Sequence, residues 1–297
     1  MSKGIGLDPG MKTPLDCMPC FVRQALEASR LYSPDPAVQE RIVREVMDWA
    51  AQADLSLPPP VMGQRIHRRL RELTGVADPY RVAKDRLNRM ATVLRSDLEP
   101  EIAAAKDPLL FRTRLAIAGN VIDMGAHGEI EESAVRQALR EALTQPLEGD
   151  PEGYRRAVDL ARDILYLADN AGEIVFDRLL IEHLGPSRVT VAVRGGPVLN
   201  DAVMEDALAV GLDRIVPVIA NGSDAPATLL SDCNASFREA YAAADLVLAK
   251  GQGNYESLND ETRRMFFLFK AKCPVIAERA GVSPGALVLE RTRETQP

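Results

Sequence analysis

Residues 164–173, ILYLADNAGE, join a short apolar run to a polar, glycine-containing segment. This pattern is typical of a buried β-strand that ends in a turn. Asp150-Pro151 upstream provides the N-cap and first-turn proline of one helix, and Gly172 opens another helix over EIVFDRLLIEHLG. The order helix, strand, helix places Asp169 and Asn170 at the carboxyl end of a strand, where open α/β sheets bind their ligands.

Further β-branched runs alternate with helical segments through the second half of the chain. They are VTVAVRG (189–195), RIVPVIA (214–220), DLVLAKG (245–251), CPVIAE (273–278) and ALVLE (286–290). Nearly continuous apolar runs are expected of strands that are buried on both faces. The pattern predicts a Rossmann-like, three-layer α/β/α core with a mainly parallel sheet.

The first third of the chain is predicted to be helical, without a strand. Helical patterns joined by proline-bearing turns cover residues 19–32, 35–53, 61–75 and 78–105, and two more follow at 107–125 and 129–143. We therefore expect a helical subdomain over residues 1–115 and an α/β domain over residues 116–297. Because no flexible linker marks the boundary, one compact unit is an equal alternative.

The composition of the chain limits the kinds of protein that it can be. The chain has 297 residues, of which 46% are hydrophobic, and it contains four cysteines. These numbers predict a globular protein with reduced thiols. No apolar run approaches the roughly 20 residues of a membrane helix, and the N-terminus lacks the apolar core of a signal peptide. We expect a cytoplasmic protein that does not bind membranes.

The net charge of −7 is unevenly distributed. Residues 1–115 contain 18 Lys and Arg against 15 Asp and Glu, whereas residues 116–297 contain 18 against 28. The acidic half argues against nucleic acid as a partner. The basic residues of the helical half are expected to be solvated helix faces.

Polar, glycine-containing loops follow four of the predicted strands. They are Asp169–Glu173, Arg194–Asp201, Asn221–Asp224 and Lys250–Asn254. Each alone could be an ordinary strand-to-helix turn. Because right-handed crossovers bring all four to the same edge of the sheet, together they favour a ligand site at that edge.

The oxygen donors in these loops suit a hard divalent cation. Asp169, Asn170 and Asp201 favour Mg²⁺ or Mn²⁺ over zinc, and the chain has only three histidines, which gives little support to a histidine-built zinc site or a Ser-His-Asp triad. From the residues alone, Asp201 could equally be a helix N-cap. The residues also leave open whether Asp169 would attack phosphorus or only hold a metal.

Lys250 ends an apolar run, where a buried cation would need an anionic partner. Flanked by glycines, it could reach a phosphate oxygen, and a lysine that leaves the sheet for solvent is the alternative. Metal, lysine and glycine-rich amides together are typical of phosphoryl transfer.

Six motifs in order resemble the damage-control phosphatase family, also known as domain of unknown function 89 (DUF89). They are CMPCFVRQA near the N-terminus, GNVID (119–123), ADNAGEIVFD (168–177), GGPVLNDA (195–202), NGSDAPAT (221–228) and AKGQGNYESL (249–258). The resemblance implies a metal-dependent phosphatase, with a helical subdomain over a Rossmann-like core, that acts on small phosphorylated metabolites. It also implies that Asp169, Asn170 and Asp201 hold the metal, for which we expect Mn, Mg, Co or Ni.

The remaining site residues follow from the same motifs and loops. We expect Asp169, Asn170, Asp201 and Lys250 to be catalytic. Asn120 and Asp123 match a family motif that approaches the site from the helical side, although they could also simply form an exposed helix C-terminus. The expected substrate-binding residues are Asn120, Asp123, Glu173, Arg194, Gly222, Ser223 and Gly251.

An N-terminal CxxC pair, Cys17 and Cys20, resembles the free-standing prokaryotic branch of the family. Pro19 begins a helix there, and a thiol at a helix N-terminus has a lowered pKa, so redox use is one alternative. Two cysteines cannot complete a tetrahedral zinc site by themselves. Small thiols that pack at the helix start explain the pair equally well, and we assign it no role.

Two other functions fit parts of the pattern. One is an S-adenosylmethionine-dependent methyltransferase on a Rossmann-like fold. The loop after the first strand has one glycine where the dinucleotide fingerprint has three, and the second strand ends in Arg194 rather than in an acid that could bind ribose. The other is a non-catalytic helical interaction protein, against which the polar loops at one edge argue.

Overall fold

The computed structural model describes residues 10–119 and 132–292. Its first part is helical, as the sequence predicted. The helices there are α1 (Cys17–Tyr32), α2 (Pro36–Ala51), α3 (Pro60–Thr74), α4 (Arg81–Asp97), α5 (Glu99–Ala104), α6 (Pro108–Ala118) and α7 (Glu132–Thr144).

The second part forms one seven-stranded sheet within the described chain. Its strands are β1 (Leu147–Gly149), β2 (Ile164–Leu167), β3 (Val189–Val193), β4 (Val218–Ala220), β5 (Leu246–Lys250), β6 (Met265–Lys270) and β7 (Leu287–Arg291). Its helices are α8 (Pro151–Leu160), α9 (Glu173–Leu184), α10 (Met204–Ala209), α11 (Ala235–Ala243), α12 (Gly251–Leu258) and α13 (Pro274–Ala280).

The sheet order is β1-β7-β6-β5-β2-β3-β4. Strands β2 to β6 are parallel to one another, whereas β7 is antiparallel to β6 and parallel to β1. From β2 the chain moves to β3 and β4 on one side, and it then returns to β5 and β6 on the other side. The carboxyl ends of β2 and β5 therefore meet at the switch point of the topology, where open α/β sheets place their ligands. The predicted α/β class with a mainly parallel sheet is confirmed.

Side chains of opposite parity along the strands enter two separate hydrophobic clusters, which is the period of two expected of a strand. Leu246 and Leu248 of β5 lie in the cluster that includes residues of α4, α6 and α9. Val247 and Ala249 lie in the cluster beneath α11 to α13. Helices on both faces make three layers. The predicted division at residue 115 stays a prediction, but α4 and α6 share the core of the sheet.

Two sequence predictions about elements were wrong, and strands β1 and β6 were not predicted. CPVIAE forms the start of α13 rather than a strand, because Pro274 occupies the first helical turn and so short an apolar run carries no decisive period. The strand beside β5 is instead β6, MFFLFK, which was not predicted. The single helix predicted over 78–105 is divided at Leu98 into α4 and α5.

Two further observations concern the whole described chain. No helix in residues 10–119 and 132–292 is long and apolar enough to cross a membrane. The same ranges contain all four cysteines, none of which forms a disulfide there. This agrees with the prediction of thiols.

Helices α1 to α3 form a third hydrophobic cluster, and His67 of α3 is fully buried beside it. Its ring lies 6.0 Å from that of Tyr32 and 6.2 Å from that of Tyr80, between centroids. Neither ring nitrogen has a hydrogen-bond partner among the described residues. Burial lowers the pKa of His67 to about 3, so the folded protein holds a neutral imidazole at physiological pH.

This buried imidazole predicts a stability that falls with acidity. The unfolded histidine takes up a proton below its ordinary pKa near 6.5, whereas the folded one stays neutral down to about 3, so stability is complete above pH 6.5 and declines below it. Between pH 7.5 and 5 the decline attributable to His67 should be about 2 kcal/mol. Urea unfolding of the wild type and of His67→Leu should show that the variant lacks this part of the pH dependence. Parallel pH curves for the two proteins would contradict it.

Candidate active site

The loops that follow β2 and β3 are hydrogen-bonded to each other. The Ala202 N–H donates to the carbonyl of Asp169 at 2.7 Å, and the Ala171 N–H donates to the carbonyl of Asn200 at 2.9 Å. Asn170 and Asp201 thus form an isolated antiparallel bridge beyond the ends of the strands. Residues distant in sequence are held side by side by their backbone, so the site does not depend on side chains alone.

Asp169 and Asp201 place two carboxylates at this bridge, 8% and 3% exposed respectively. Arg194, the first residue after β3 and 2% exposed, contacts both. Its Nε donates to Asp201 Oδ2 at 2.6 Å, and its Nη2 lies 3.4 Å from Asp169 Oδ1. Because one guanidinium spans both carboxylates, it offsets part of their charge and fixes their separation.

Arg194 is itself held by two side chains that the sequence did not single out. Its Nη1 lies 3.2 Å from Asn254 Oδ1 and 3.4 Å from Thr228 Oγ1. The Thr228 hydroxyl in turn donates to Asn254 Oδ1 at 2.9 Å. Asn254 ends the segment Lys250–Asn254, which the sequence predicted as a loop and which forms the start of α12, and only the fold shows that its amide faces the guanidinium.

Asn170 and Glu173 extend the cluster. The amide nitrogen of Asn170 donates to Asp169 Oδ2 at 2.7 Å and to Glu173 Oε2 at 3.1 Å. Glu173 begins α9 and is 1% exposed. With its nitrogen committed to two carboxylates, the amide of Asn170 offers its oxygen to a further ligand.

Gly251 approaches the same carboxylates from β5. It has φ +80°, and a Cβ on it would collide with the carboxylate of Asp169. Only glycine can therefore occupy this position without displacing Asp169. The expectation that Gly251 lies at the site agrees with this close approach, and its part in binding substrate stays a prediction.

Lys250 is fully buried, and its ammonium group lies among oxygen atoms of α6 and α9. Its Nζ donates to Glu173 Oε1 and Asp177 Oδ1, each at 2.6 Å, and to the carbonyl of Ala116 at 2.7 Å. All three N–H groups of the ammonium are thus given to protein oxygens. Burial alone would lower the pKa of Lys250, but the carboxylates of Asp177 and Glu173 outweigh it and raise the pKa, so Lys250 remains a cation. This placement does not match the expectation that Lys250 reaches a phosphate at the edge of the sheet.

Burial raises the pKa of Asp169 well above its usual range, and the neighbouring carboxylates of Glu173 and Asp201 add to the effect. Arg194 and Lys272 act in the opposite direction. Lys272 follows β6, at the same edge as β2 and β5, and its backbone N–H donates to Gln252 Oε1 at 3.0 Å. The sequence did not identify it, because β6 itself was missed. It is an exposed cation whose charge acts on the site.

Gly222 and Ser223 lie in the adjacent loop after β4. The Gly195 N–H donates to the Ser223 carbonyl at 2.7 Å, which ties this loop to the one after β3. The Ser223 hydroxyl is buried and donates to Asp232 at 2.7 Å. No hydrogen bond described for residues 10–119 and 132–292 joins either residue to Asp169, so their predicted role in binding substrate is not explained by these contacts.

Two predicted residues, Asn120 and Asp123, lie outside the described residues. Asp201 is not a helix N-cap, because the N-cap of α10 is Val203. The alternative offered for Asp201 is therefore wrong, and its carboxylate is directed to Arg194 instead.

The oxygen atoms at this bridge can be compared with the ligands that a divalent metal ion prefers. Within residues 10–119 and 132–292, no group of three or more His, Cys, Asp or Glu side chains has the arrangement of a formed metal site. Two buried carboxylates and an amide oxygen at one bridge are nevertheless the hard ligands that Mg²⁺ or Mn²⁺ prefers. Burial, and after it the carboxylates of Glu173 and Asp201, raise the pKa of Asp169, and a cation bound there would relieve that negative charge. The residues present fit a hard divalent ion.

The sheet is doubly wound, and Asp169 and Asp201 lie at its switch point, where open α/β proteins place their ligand sites. A family model, the damage-control phosphatase ARMT1-like domain, matches residues 13–288. The chain belongs to this family. The prediction of a phosphatase is thereby confirmed at the level of the family.

Archaeal relatives cover nearly the whole chain. Protein MJ0202 of Methanocaldococcus jannaschii is 34% identical over 294 residues, which is 94% of this chain and 95% of that protein. Damage-control phosphatase PH1575 of Pyrococcus horikoshii is 32% identical over 294 residues, 95% of this chain and 99% of that one. A damage-control phosphatase of Archaeoglobus fulgidus is 32% identical over 285 residues, 94% and 98% of the two chains.

The fold is also similar to a solved structure. The crystal structure of PH1575, a DUF89 family protein, matches with a TM-score of 0.86 at 31% identity, and the match covers 95% of this chain and 100% of that chain.

The contacts of Lys250 predict a mainly structural effect of its removal. In Lys250→Met the buried carboxylates of Glu173 and Asp177 lose their shared cation, so the free energy of unfolding should fall by about 3–5 kcal/mol. Lys270→Met, the same change at the end of the adjacent strand, should cost about 1 kcal/mol or less. Guanidinium unfolding curves measure both. If Lys250→Met is as stable as Lys270→Met and loses only turnover, Lys250 acts as the phosphate ligand that the sequence suggested.

Proposed function

We propose that this chain is a metal-dependent phosphatase that hydrolyses phosphate monoesters of small metabolites, such as damaged or surplus sugar phosphates, phosphorylated cofactors or nucleotides. The observation that carries the proposal is the bridge between Asn170 and Asp201, which places Asp169, Asn170 and Asp201 side by side at the switch point of the sheet. Membership of the damage-control phosphatase family supports the same activity.

The metal in this proposal is held by the carboxylates of Asp169 and Asp201 and by the amide oxygen of Asn170. Mn, Mg, Co and Ni ions all accept such ligands. A divalent ion bound there supplies charge stabilisation for the phosphoryl group and a lowered pKa for a coordinated water. Arg194 orients both carboxylates, and Asn170 links Asp169 and Glu173 by donating to both.

Substrate charge requires cations beyond the metal. Lys250 is occupied by Glu173 and Asp177, and Arg194 is occupied by Asp169 and Asp201. We assign the contact with the phosphoryl group to Lys272, which is exposed at the carboxyl edge and whose charge reaches Asp169. Backbone N–H groups near Gly251 are the second contribution, because the lack of a Cβ lets the backbone approach the carboxylate of Asp169 closely.

Removal of either metal carboxylate should abolish the reaction. Asp169→Ala and Asp201→Ala are each expected to release no phosphate above background from p-nitrophenyl phosphate or a sugar phosphate, because one anionic ligand of the ion is lost. Chelation should silence the wild type, and added Mn²⁺, Mg²⁺ or Co²⁺ should restore it. Asp213→Ala removes an exposed carboxylate and serves as the control, with wild-type rates.

The same assay contains the outcome that would refute the proposal. Full activity of Asp169→Ala or Asp201→Ala at limiting metal would show that the two loops do not hold the catalytic ion. A chelated wild type that still releases phosphate at its original rate would remove the metal from the mechanism.

Lys272→Met tests the assignment of the phosphate contact. Loss of a cation positioned for the developing charge typically costs about a hundredfold in kcat/KM, and we expect that loss here. Lys272→Arg should retain part of the rate, since the charge remains but the planar group is larger. Binding of Mn²⁺ in the absence of substrate should not weaken in either variant. Wild-type kcat/KM in Lys272→Met would return the phosphate contact to other groups.

A further inference from the structure

Helix α4 places buried polar side chains beside the active site, and the proposed reaction gives them no role. Lys84 is 0% exposed and Asn88 is 4% exposed, one helical turn apart. Leu87 beside them lies against Gly172, so close that a Cβ on Gly172 would come within 3.1 Å of it. Helix α4 therefore contacts the loop after β2 directly.

Asn88 contacts both the loop after β2 and the first turn of α10 with one amide group. Its Oδ1 accepts the Gly172 N–H at 2.6 Å, and its Nδ2 donates to Asp206 Oδ1 at 3.0 Å. Gly172 follows Asp169 by three residues, and Asp206 follows Asp201 by five. The two partners also fix the orientation of the amide, because an N–H group needs an acceptor and a carboxylate needs a donor.

Asp206 is a firm anchor for this bridge. It is fully buried, and its Oδ2 accepts the Val203 N–H at 3.0 Å and lies 3.1 Å from Lys84 Nζ. Arg81 donates to Oδ1 at 2.5 Å. Lys84 Nζ also lies 3.3 Å from the carbonyl of Asp201 itself. The segment 201–206 is thus attached to α4 at several points, and Asn88 connects that attachment to the other loop.

We propose that Asn88 is a positioning residue for the metal site: by joining Gly172 to Asp206, it holds Asp169 and Asp201 at the separation that a divalent ion requires. This inference rests on the proposed function. The carboxylates of Asp169 and Asp201 repel each other, and both Arg194 and the backbone bonds between the two loops act against that repulsion. Asn88 adds a further tie on the helical side, from a helix that contributes no proposed ligand.

The test is calorimetric titration of Mn²⁺ into the full-length protein stripped of metal, beside melting temperatures and phosphate release. Asn88→Ala should weaken Mn²⁺ binding by roughly 10–100-fold, the usual effect of removing a group that orients metal ligands. The control is Leu94→Ala, which removes buried apolar contacts from the same helix two turns further on. It should lower the melting temperature and leave Mn²⁺ affinity unchanged.

Equal Mn²⁺ affinity in Asn88→Ala and wild type would overturn the proposal, as would equal losses in Asn88→Ala and Leu94→Ala. A wild type that binds no Mn²⁺ would overturn the proposed function, and this inference with it. If the wild type binds Mn²⁺ and releases phosphate while Asn88→Ala matches it, only the inference fails.

If Asn88→Ala does not fold, the proposal is tested by exchanging the amide and the carboxylate between positions 88 and 206. Asn88→Asp keeps the acceptor for Gly172 but sets a carboxylate against Asp206. Its extra negative charge would by itself strengthen cation binding, so weaker Mn²⁺ binding in this variant reports a change of geometry. Adding Asp206→Asn restores one donor and one acceptor and should recover most of the loss. Mn²⁺ binding by Asn88→Asp that equals or exceeds the wild type overturns the proposal.

Discussion

The backbone hydrogen bonds between the loops after β2 and β3 are the constraint on which the rest of the site depends. They bring Asp169 and Asp201, 32 positions apart in the sequence, to one bridge at the switch point. Backbone bonds hold whatever the charge state of the side chains. Two carboxylates that would otherwise separate are therefore kept together, and a cation bound between them meets a prepared site.

Buried cations are paired with carboxylates at several positions around the bridge between Asn170 and Asp201. Arg194 lies between Asp169 and Asp201, and Lys250 lies behind them between Glu173 and Asp177. Buried charges of this kind are tolerated only when they are paired. Lys250 and Arg194 each contact two carboxylates and so stabilise the site itself, and the exposed Lys272 at the carboxyl edge is the cation that we assign to the substrate. Helix α4 contributes Lys84 and Asn88, which contact Asp206 on a third side of the site.

The sequence could predict the site residues that directly follow the ends of strands. A buried run followed by Asp-Asn-Ala-Gly-Glu located Asp169 and Asn170, and the loop after the next strand located Arg194 and Asp201, because parallel strands share one edge. The contacts of the Lys250 side chain could not be predicted without knowing which helix covers its face of β5. It shares a face of β5 with Leu246 and Leu248, and that face is covered by α9, which carries Glu173 and Asp177 at a spacing of one turn. Strand parity was readable from the sequence, but the helix that covers the face was not.

Contacts across long sequence separations could not be predicted in this way. Asn88 is an ordinary polar residue in a helical pattern, and nothing local shows that its amide joins two loops more than 80 and 110 residues away. The sequence does not identify Lys272, because the aromatic run MFFLFK of β6 lacks the β-branched residues of the predicted strands and CPVIAE has the apolar content of a strand. Both errors come from short apolar runs, for which flanking residues rather than period decide between helix and strand.

The central claim, that the paired loops form a divalent-metal site, is tested most directly by locating the ion. Crystals of the wild-type protein grown with Mn²⁺ should show one anomalous manganese peak in contact with the carboxylates of both Asp169 and Asp201. A peak that lies elsewhere in the molecule, or no peak at saturating Mn²⁺, would contradict the account.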